Sequence, residues 1–176
     1  MTQEQFETLL SQHGNEIFGF CCHITGSRNT AEDLYQDAVL KAFELLGRID
    51  GSSKNGLKQA RNYVIGIAVK LNRNLMRKRS LNDSFFVSDG ELLLGNAMDD
   101  SDIAHETERK SVHKDLRTIV GNLPERLRNV VYMYYYAEMS VADIAQQLDI
   151  PQGTVKSRLS KARKEIKKKM EGLYHE

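Results

Sequence analysis

The residues best suited to chemistry in this chain are cationic and hydroxyl-bearing. Between Lys156 and Lys169 there are eight basic residues, opposed by Glu165 alone. On a helix, Thr154, Lys156, Ser157, Arg158 and Lys161 point outward or to the flanks, while Val155, Leu159, Ala162 and Ile166 make an inward stripe. Gly153 and the small hydroxyls near the helix start allow close approach to base edges, and Lys and Arg supply phosphate and guanine contacts. Alone, such a run is also the pattern of a solvated basic helix. The residues before it separate the two readings. Ser140 suits an N-cap. Val141, Ile144, Ala145 and Leu148 form one stripe of a short helix, Leu148-Asp149-Ile150 interrupts it, and Pro151 suits the first turn of the next helix. This is the layout of a helix-turn-helix, whose second helix enters the major groove.

A second basic element lies in the first half. Leu57, Ala60, Val64, Ile67, Ala68, Leu71 and Leu75 hold helical spacing across residues 57–79. Lys58, Arg61, Lys70, Arg73, Arg77, Lys78 and Arg79 cover much of the remainder, with Asn62, Tyr63, Asn72 and Asn74 among them. Amides and an aromatic amid cations suit DNA or single-stranded bases, although Tyr63 alone fits a core position better than a stacking platform. Glu32, Asp33, Gln36 and Asp37 cluster at the start of another helix. Chemistry alone favours complementation of the helix dipole there over a docking face for a basic partner. His13, Cys21, Cys22 and His23 invite a zinc reading, but adjacent Cys-Cys-His on one helix points three ways and cannot close a tetrahedron. No Walker loop, paired-His motif or carboxylate cluster on a basic cleft is present, so neither an enzyme, a metal nor a cofactor is expected.

These elements are distributed by charge. The net charge of +1 conceals three basic and eight acidic residues in 1–50, then eight basic and none acidic in 51–82. Residues 83–125 hold four basic and ten acidic, and 126–176 hold ten basic and six acidic. Two positive blocks separated by an acidic stretch point to two contacts on one polymer. No apolar run approaches a membrane span and the first residues lack the basic start of a signal peptide, so a cytoplasmic protein without a membrane partner is expected. The adjacent cysteines fit reduced thiols.

In chain order the patterns predict helices throughout. Thr2 to Gln5 reads as a capping box, and a Gly14-Asn15 break divides two early helices, the second ended by Thr25-Gly26-Ser27. A third runs from Asn29 to Leu46, with a stripe of Leu34, Ala38, Ala42, Leu45 and Ile49 widened by Val39, Phe43 and Leu46. A loop over 47–56 precedes the basic helix 57–79. Residues 80–101 show no sustained period, but their apolar patches Phe85-Phe86-Val87 and Leu92-Leu93-Leu94 are unusual for a free linker. A fifth helix is expected over 103–120, and a sixth over 124–136 with Leu127, Val130, Val131 and Tyr134 inward. The fold class is all-α: two small helical domains, 1–80 and 105–176, joined by an acidic linker, 81–104.

The stretch from Leu123-Pro124-Glu125, through Ser140-x-x-Asp143-Ile144-Ala145, to Gly153-Thr154-Val155-Lys156-Ser157-Arg158 resembles domain 4 of bacterial sigma factors of the short extracytoplasmic-function (ECF) class. Ala31 to Asp37 resembles the corresponding run of domain 2. The resemblance implies a non-enzymatic initiation subunit of RNA polymerase. Glu32, Asp33, Gln36 and Asp37 match the surface that docks on the β′ clamp helices, which turns the reading of that cluster toward docking. The basic helix matches the element that melts and reads the promoter −10 region, with Arg61, Tyr63, Lys70, Arg73, Asn74 and Arg77 as its contacts. Thr154, Lys156, Ser157, Arg158 and Lys161 match the −35 reader. The partners implied are core polymerase, including the β flap, promoter DNA and, as is common in the family, an anti-sigma factor. The chain departs from the family at Tyr63, Gly66 and Lys70, where Trp, Arg and Asn are common, and in a longer loop 47–56 without an aromatic. Gly66 costs a helix about 1 kcal/mol relative to Ala, so this helix is expected to form fully only on polymerase. The competing reading is a stand-alone helix-turn-helix regulator, which requires neither the acidic cluster nor the second basic helix.

Overall fold

Local capping chemistry starts the first helix. Thr2 Oγ1 accepts from Gln5 N at 3.2 Å while Gln5 Oε1 accepts from Thr2 N at 2.9 Å, and helix α1 runs Gln3–Thr25. It ends at Gly26, whose φ of +69° lies where glycine is favoured. The computed structural model describes residues 1–49, 55–83 and 107–174, with side chains placed there except at 79–83 and 107–111. The expected break at Gly14-Asn15 does not occur; α1 passes straight through it. Gly14 is buried, and a Cβ there would stand 3.1 Å from the Tyr35 hydroxyl, so the glycine serves close packing, not a turn.

Helix α2 spans Arg28–Glu44 and is followed by a 3₁₀ turn at Leu46–Arg48. Helix α3 spans Gly56–Asp83 without interruption at Gly66, contrary to the expectation that it completes only on polymerase. Its middle is wrapped on nearly all sides, and tertiary packing outweighs the propensity cost of one glycine. Helix α4 spans Thr107–Gly121; its expected start at 103 and the apolar patches of the linker lie outside the described residues. Helix α5, Glu125–Val131, continues into a π turn at Tyr132–Tyr136. The wider turn shifts the register, so Met133 is fully buried and Tyr134, expected inward, is only half-buried. Helices α6, Val141–Leu148, and α7, Gln152–Tyr174, complete the chain. Every described element is helical, as the all-α expectation requires, and no described helix is long and apolar enough to cross a membrane.

The three N-terminal helices pack around Leu9, Ile17, Phe20 and Ile24 of α1, Leu34 and Ala38 of α2, and Val64, Ile65 and Ala68 of α3. That core does not stop at the N-terminal half. It continues into Val130, Met133, Ile144, Val155 and Leu159, because α6 lies on α3 and the π turn lies on α1. A smaller cluster of Val120, Leu123, Leu127, Val131 and Ala162 ties α4, α5 and α7 together.

His23 of α1 sits in this junction, stacked on Tyr132 at 4.9 Å between ring centroids and edge-on to Tyr136 at 4.5 Å. Burial, and secondarily the positive charge of Arg117, hold its pKa below the ordinary histidine value of 6.5. The neutral imidazole is therefore the form that the folded chain favours. Its contribution to stability is complete above pH 6.5 and is lost as the pH falls below that value. The melting temperature is expected to drop between pH 7.5 and 5.5, and the drop to be smaller in His23→Phe; equal drops in both proteins would remove His23 from the cause.

Candidate nucleic-acid interface

The helix-turn-helix is built by short-range chemistry. Ser140 Oγ accepts from Asp143 N at 3.1 Å, and Asp143 Oδ2 accepts from Ser140 N at 3.3 Å, closing a reciprocal cap on α6. Asp149, in the left-handed region at φ 55°, ends α6, and Pro151 leads into α7. Ile144, Ala145, Val155, Leu159 and Ala162 are buried, which fixes the outward face of α7. On that face Lys156, Ser157 and Lys161 are exposed, and Thr154 and Arg158 are half-buried. Thr154, Ser157, Arg158 and Lys161 fall at i, i+3, i+4 and i+7, one stripe along the helix. Nothing lies within 4 Å of where a Cβ would stand at Gly153, so the start of α7 is sterically open.

Lys156 begins a neighbouring stripe that includes Arg163 at i+7, a residue the sequence reading did not single out. Arg163 Nε donates to the Tyr135 hydroxyl at 2.7 Å, and its guanidinium lies 5.7 Å from the Tyr135 ring centroid. The exposed tyrosine thus holds a cation in place beside the outward stripe of α7. The signal was present in the i+7 spacing but was hidden among eight basic residues of equal standing.

The second basic helix divides into two parts. Lys70, Arg73, Asn74 and Arg77 are exposed on the later turns of α3. Tyr63 is half-buried, and Arg61 is buried at 6% exposure. Arg61 pairs with Glu16, donates to Asn62 Oδ1 at 2.9 Å and donates to the Ala137 carbonyl at 2.6 Å. It does not join the cationic surface that its sequence position implied. Asn62 and Asn72 are buried too, Asn72 donating to the Ile24 carbonyl at 3.4 Å. These amides serve the fold and are not displayed among the cations.

The acidic cluster of α2 is exposed at all four positions, Glu32, Asp33, Gln36 and Asp37. Arg28 pairs with Glu32 at 3.3 Å on the surface, a contact of little energetic weight. Leu40 continues this face one turn on and is 63% exposed, with Phe43 beside it at 47%. An acidic patch continued by the exposed Leu40, with Phe43 beside it against the Phe6 ring, is more than dipole complementation alone calls for. Leu40 stands outside the Leu34, Ala38 and Ala42 stripe, the one sequence sign of its exposure.

Cys21 is buried and Cys22 half-buried, and both are free thiols. Burial, and then the adjacent Cys22, push the Cys21 thiol up to about 12, which keeps it protonated. Among the described residues no three His, Cys, Asp or Glu side chains are grouped to hold an ion.

Taken together, the geometry defines an all-helical protein with a helix-turn-helix, a second cationic helix and a separate acidic face. Comparison with known proteins names the family. The model for Sigma-70 region 2 matches residues 9–81 and that for Sigma-70 region 4 matches residues 113–166. The ECF RNA polymerase sigma-E factor of Haemophilus influenzae is 28% identical, over 97% of this chain and 90% of its own length. The RNA polymerase sigma-H factor of Pseudomonas aeruginosa is also 28% identical, over 97% of this chain and 89% of its own. In fold, the chain is similar to the sigma factor RpoE of Bartonella quintana, solved with the anti-sigma factor NepR. The TM-score is 0.73 at 21% identity, covering 94% of this chain and 96% of that one. The chain belongs to the sigma-70 family and is an RNA polymerase sigma factor of the ECF class. A stand-alone helix-turn-helix regulator is not favoured by these matches.

Proposed function

We propose that this chain docks on bacterial core RNA polymerase through α2 and reads two promoter elements. Residues 1–80 act as the polymerase-docking and −10 unit, 81–104 as the linker and 105–176 as the −35 unit. Glu32, Asp33, Gln36, Asp37 and the adjoining Leu40 contact the β′ clamp helices. Thr154, Lys156, Ser157, Arg158 and Lys161 read the −35 duplex in the major groove, and Arg163, held by Tyr135, takes a flanking phosphate. Lys70, Arg73, Asn74 and Arg77 meet −10 DNA, joined by Tyr63 and Arg61 once Arg61 leaves its buried pairing. The protein performs no covalent chemistry of its own and works in the cytoplasm. Core polymerase, with its β flap, and promoter DNA are its partners, and an anti-sigma factor is a third, as in the solved Bartonella relative.

The observation that carries the reading is the coexistence, on one short chain, of an exposed α7 recognition stripe and an exposed acidic α2 face. Reversing charge at both Asp33 and Asp37 to Arg tests the docking half. Core binding is expected to fall at least about tenfold, since like-charge juxtaposition at an interface costs several kcal/mol. Helical content and binding to duplex DNA should stay at wild-type levels. Unchanged affinity for core would remove α2 from the interface.

A further inference from the structure

The π turn carries two tyrosines to the side of α7. Tyr135 is exposed, yet its hydroxyl accepts from Arg163 Nε at 2.7 Å and its ring centroid lies 5.7 Å from the guanidinium. Tyr134 approaches the same guanidinium at 5.9 Å and meets Tyr135 edge-on, with 5.0 Å between ring centroids. Both rings are within reach of a cation–π contact. Arg163 is itself exposed, and among the described residues its hydrogen bond runs through Nε alone. The two terminal nitrogens are left for a phosphate, which arginine takes in a bidentate fork. An exposed arginine gives up rotamer freedom on binding; one already held by two rings and a hydroxyl gives up less.

The other cations of α7 complete the pattern. At about 100° per residue, Lys156 and Arg163 fall on one flank of the helix and Arg158 and Lys161 on the other, while Ser157 and Ser160 lie between the flanks. All of these are exposed except the half-buried Arg158. A helix lying in the major groove has a sugar-phosphate strand along each flank. Small hydroxyls toward the bases and a pair of cations toward each strand separate the side chains that read from those that grip.

We propose that Tyr135 is the positioning residue of a phosphate clamp: it holds Arg163 by ring and hydroxyl, and Arg163 with Lys156 grips one strand of the −35 duplex while Arg158 and Lys161 face the other. The clamp supplies affinity that does not depend on base sequence. This inference rests on the −35 role proposed for α7.

Tyr135→Phe and Arg163→Ala, alone and together in the full-length chain, test this by titration of a mixed-sequence DNA duplex at several salt concentrations. Arg163→Ala should lower the salt slope by about one, the signature of one lost phosphate contact. Arg163→Lys should restore the slope, because the charge is kept. Tyr135→Phe keeps the ring and removes the accepting hydroxyl, and should weaken binding about fivefold, the scale of one hydrogen bond. In the Arg163→Ala background it should change nothing further. Melting temperatures should stay at the wild-type value, since both side chains are exposed. An equal loss from Tyr135→Phe in the presence and absence of Arg163 would overturn the positioning role. An unchanged slope in Arg163→Ala, with the Lys156 and Arg158 double variant still impaired, would overturn the clamp and leave α7 as the reader. Unchanged duplex binding in that double variant as well would overturn the −35 role itself.

Discussion

Replacing Lys156 and Arg158 together by alanine will weaken binding to −35 promoter duplex about a hundredfold while leaving affinity for core polymerase unchanged. Both side chains lie on the outward face of α7, Lys156 exposed and Arg158 half-buried, and neither belongs to the buried stripe of Val155, Leu159 and Ala162. A base-edge contact is worth about 1–3 kcal/mol, and each lost phosphate contact lowers the salt slope by about one. Titration of promoter duplex at several salt concentrations therefore reports both losses. The conservative variant Arg158→Lys should recover part of the salt dependence but not the sequence preference, since lysine lacks the planar bidentate fork. Equal loss of DNA and polymerase binding in the double variant would mean that α7 does not act as a separate reader.

Truncating Phe20 to alanine will cost about 3–5 kcal/mol, the range for a fully buried aromatic, and lower the melting temperature by roughly 10 °C. Phe20 has no exposed surface and lies in the core that the two halves of the chain share. Leu40→Ala provides the contrast. At 63% exposure that leucine adds little to folding, and its loss should shift stability by no more than about 0.5 kcal/mol. It should instead weaken core polymerase binding, because Leu40 borders the acidic face of α2. Thermal melts of the two variants side by side separate a packing residue from a docking residue. A large stability loss in Leu40→Ala would contradict that division.

What was legible in the sequence was governed by neighbours a few residues apart. The Thr2 and Ser140 caps, the Gly26 stop, the Pro151 start and the i, i+3, i+4, i+7 stripes of α6 and α7 are local rules, and each appears in the fold. The features that escaped depend on distant partners. Gly14 reads as a breaker until Tyr35 is seen across the helix pair. Arg61, Asn62 and Asn72 read as surface by type, but Glu16 and the carbonyls of Ala137 and Ile24 draw Arg61 and Asn72 inside, with Asn62 paired to Arg61. The π turn displaced Tyr134 by one position, a change that periodicity of 3.6 does not anticipate. Gly66 looked like a weakness of its helix and is instead the place where α6 rests. The outward face of α7 was thus readable almost residue by residue, whereas on the basic helix the exposed side chains could not be told from the buried ones.

Run-off transcription with bacterial core RNA polymerase on a pool of promoter fragments, with and without this protein, tests the central claim most directly. Discrete transcripts that appear only when polymerase and protein are both present are the predicted result, and their start sites would reveal the two promoter elements. DNA retention by the protein alone, with no transcript at any fragment, would contradict a sigma factor and make residues 1–80 a domain of another purpose.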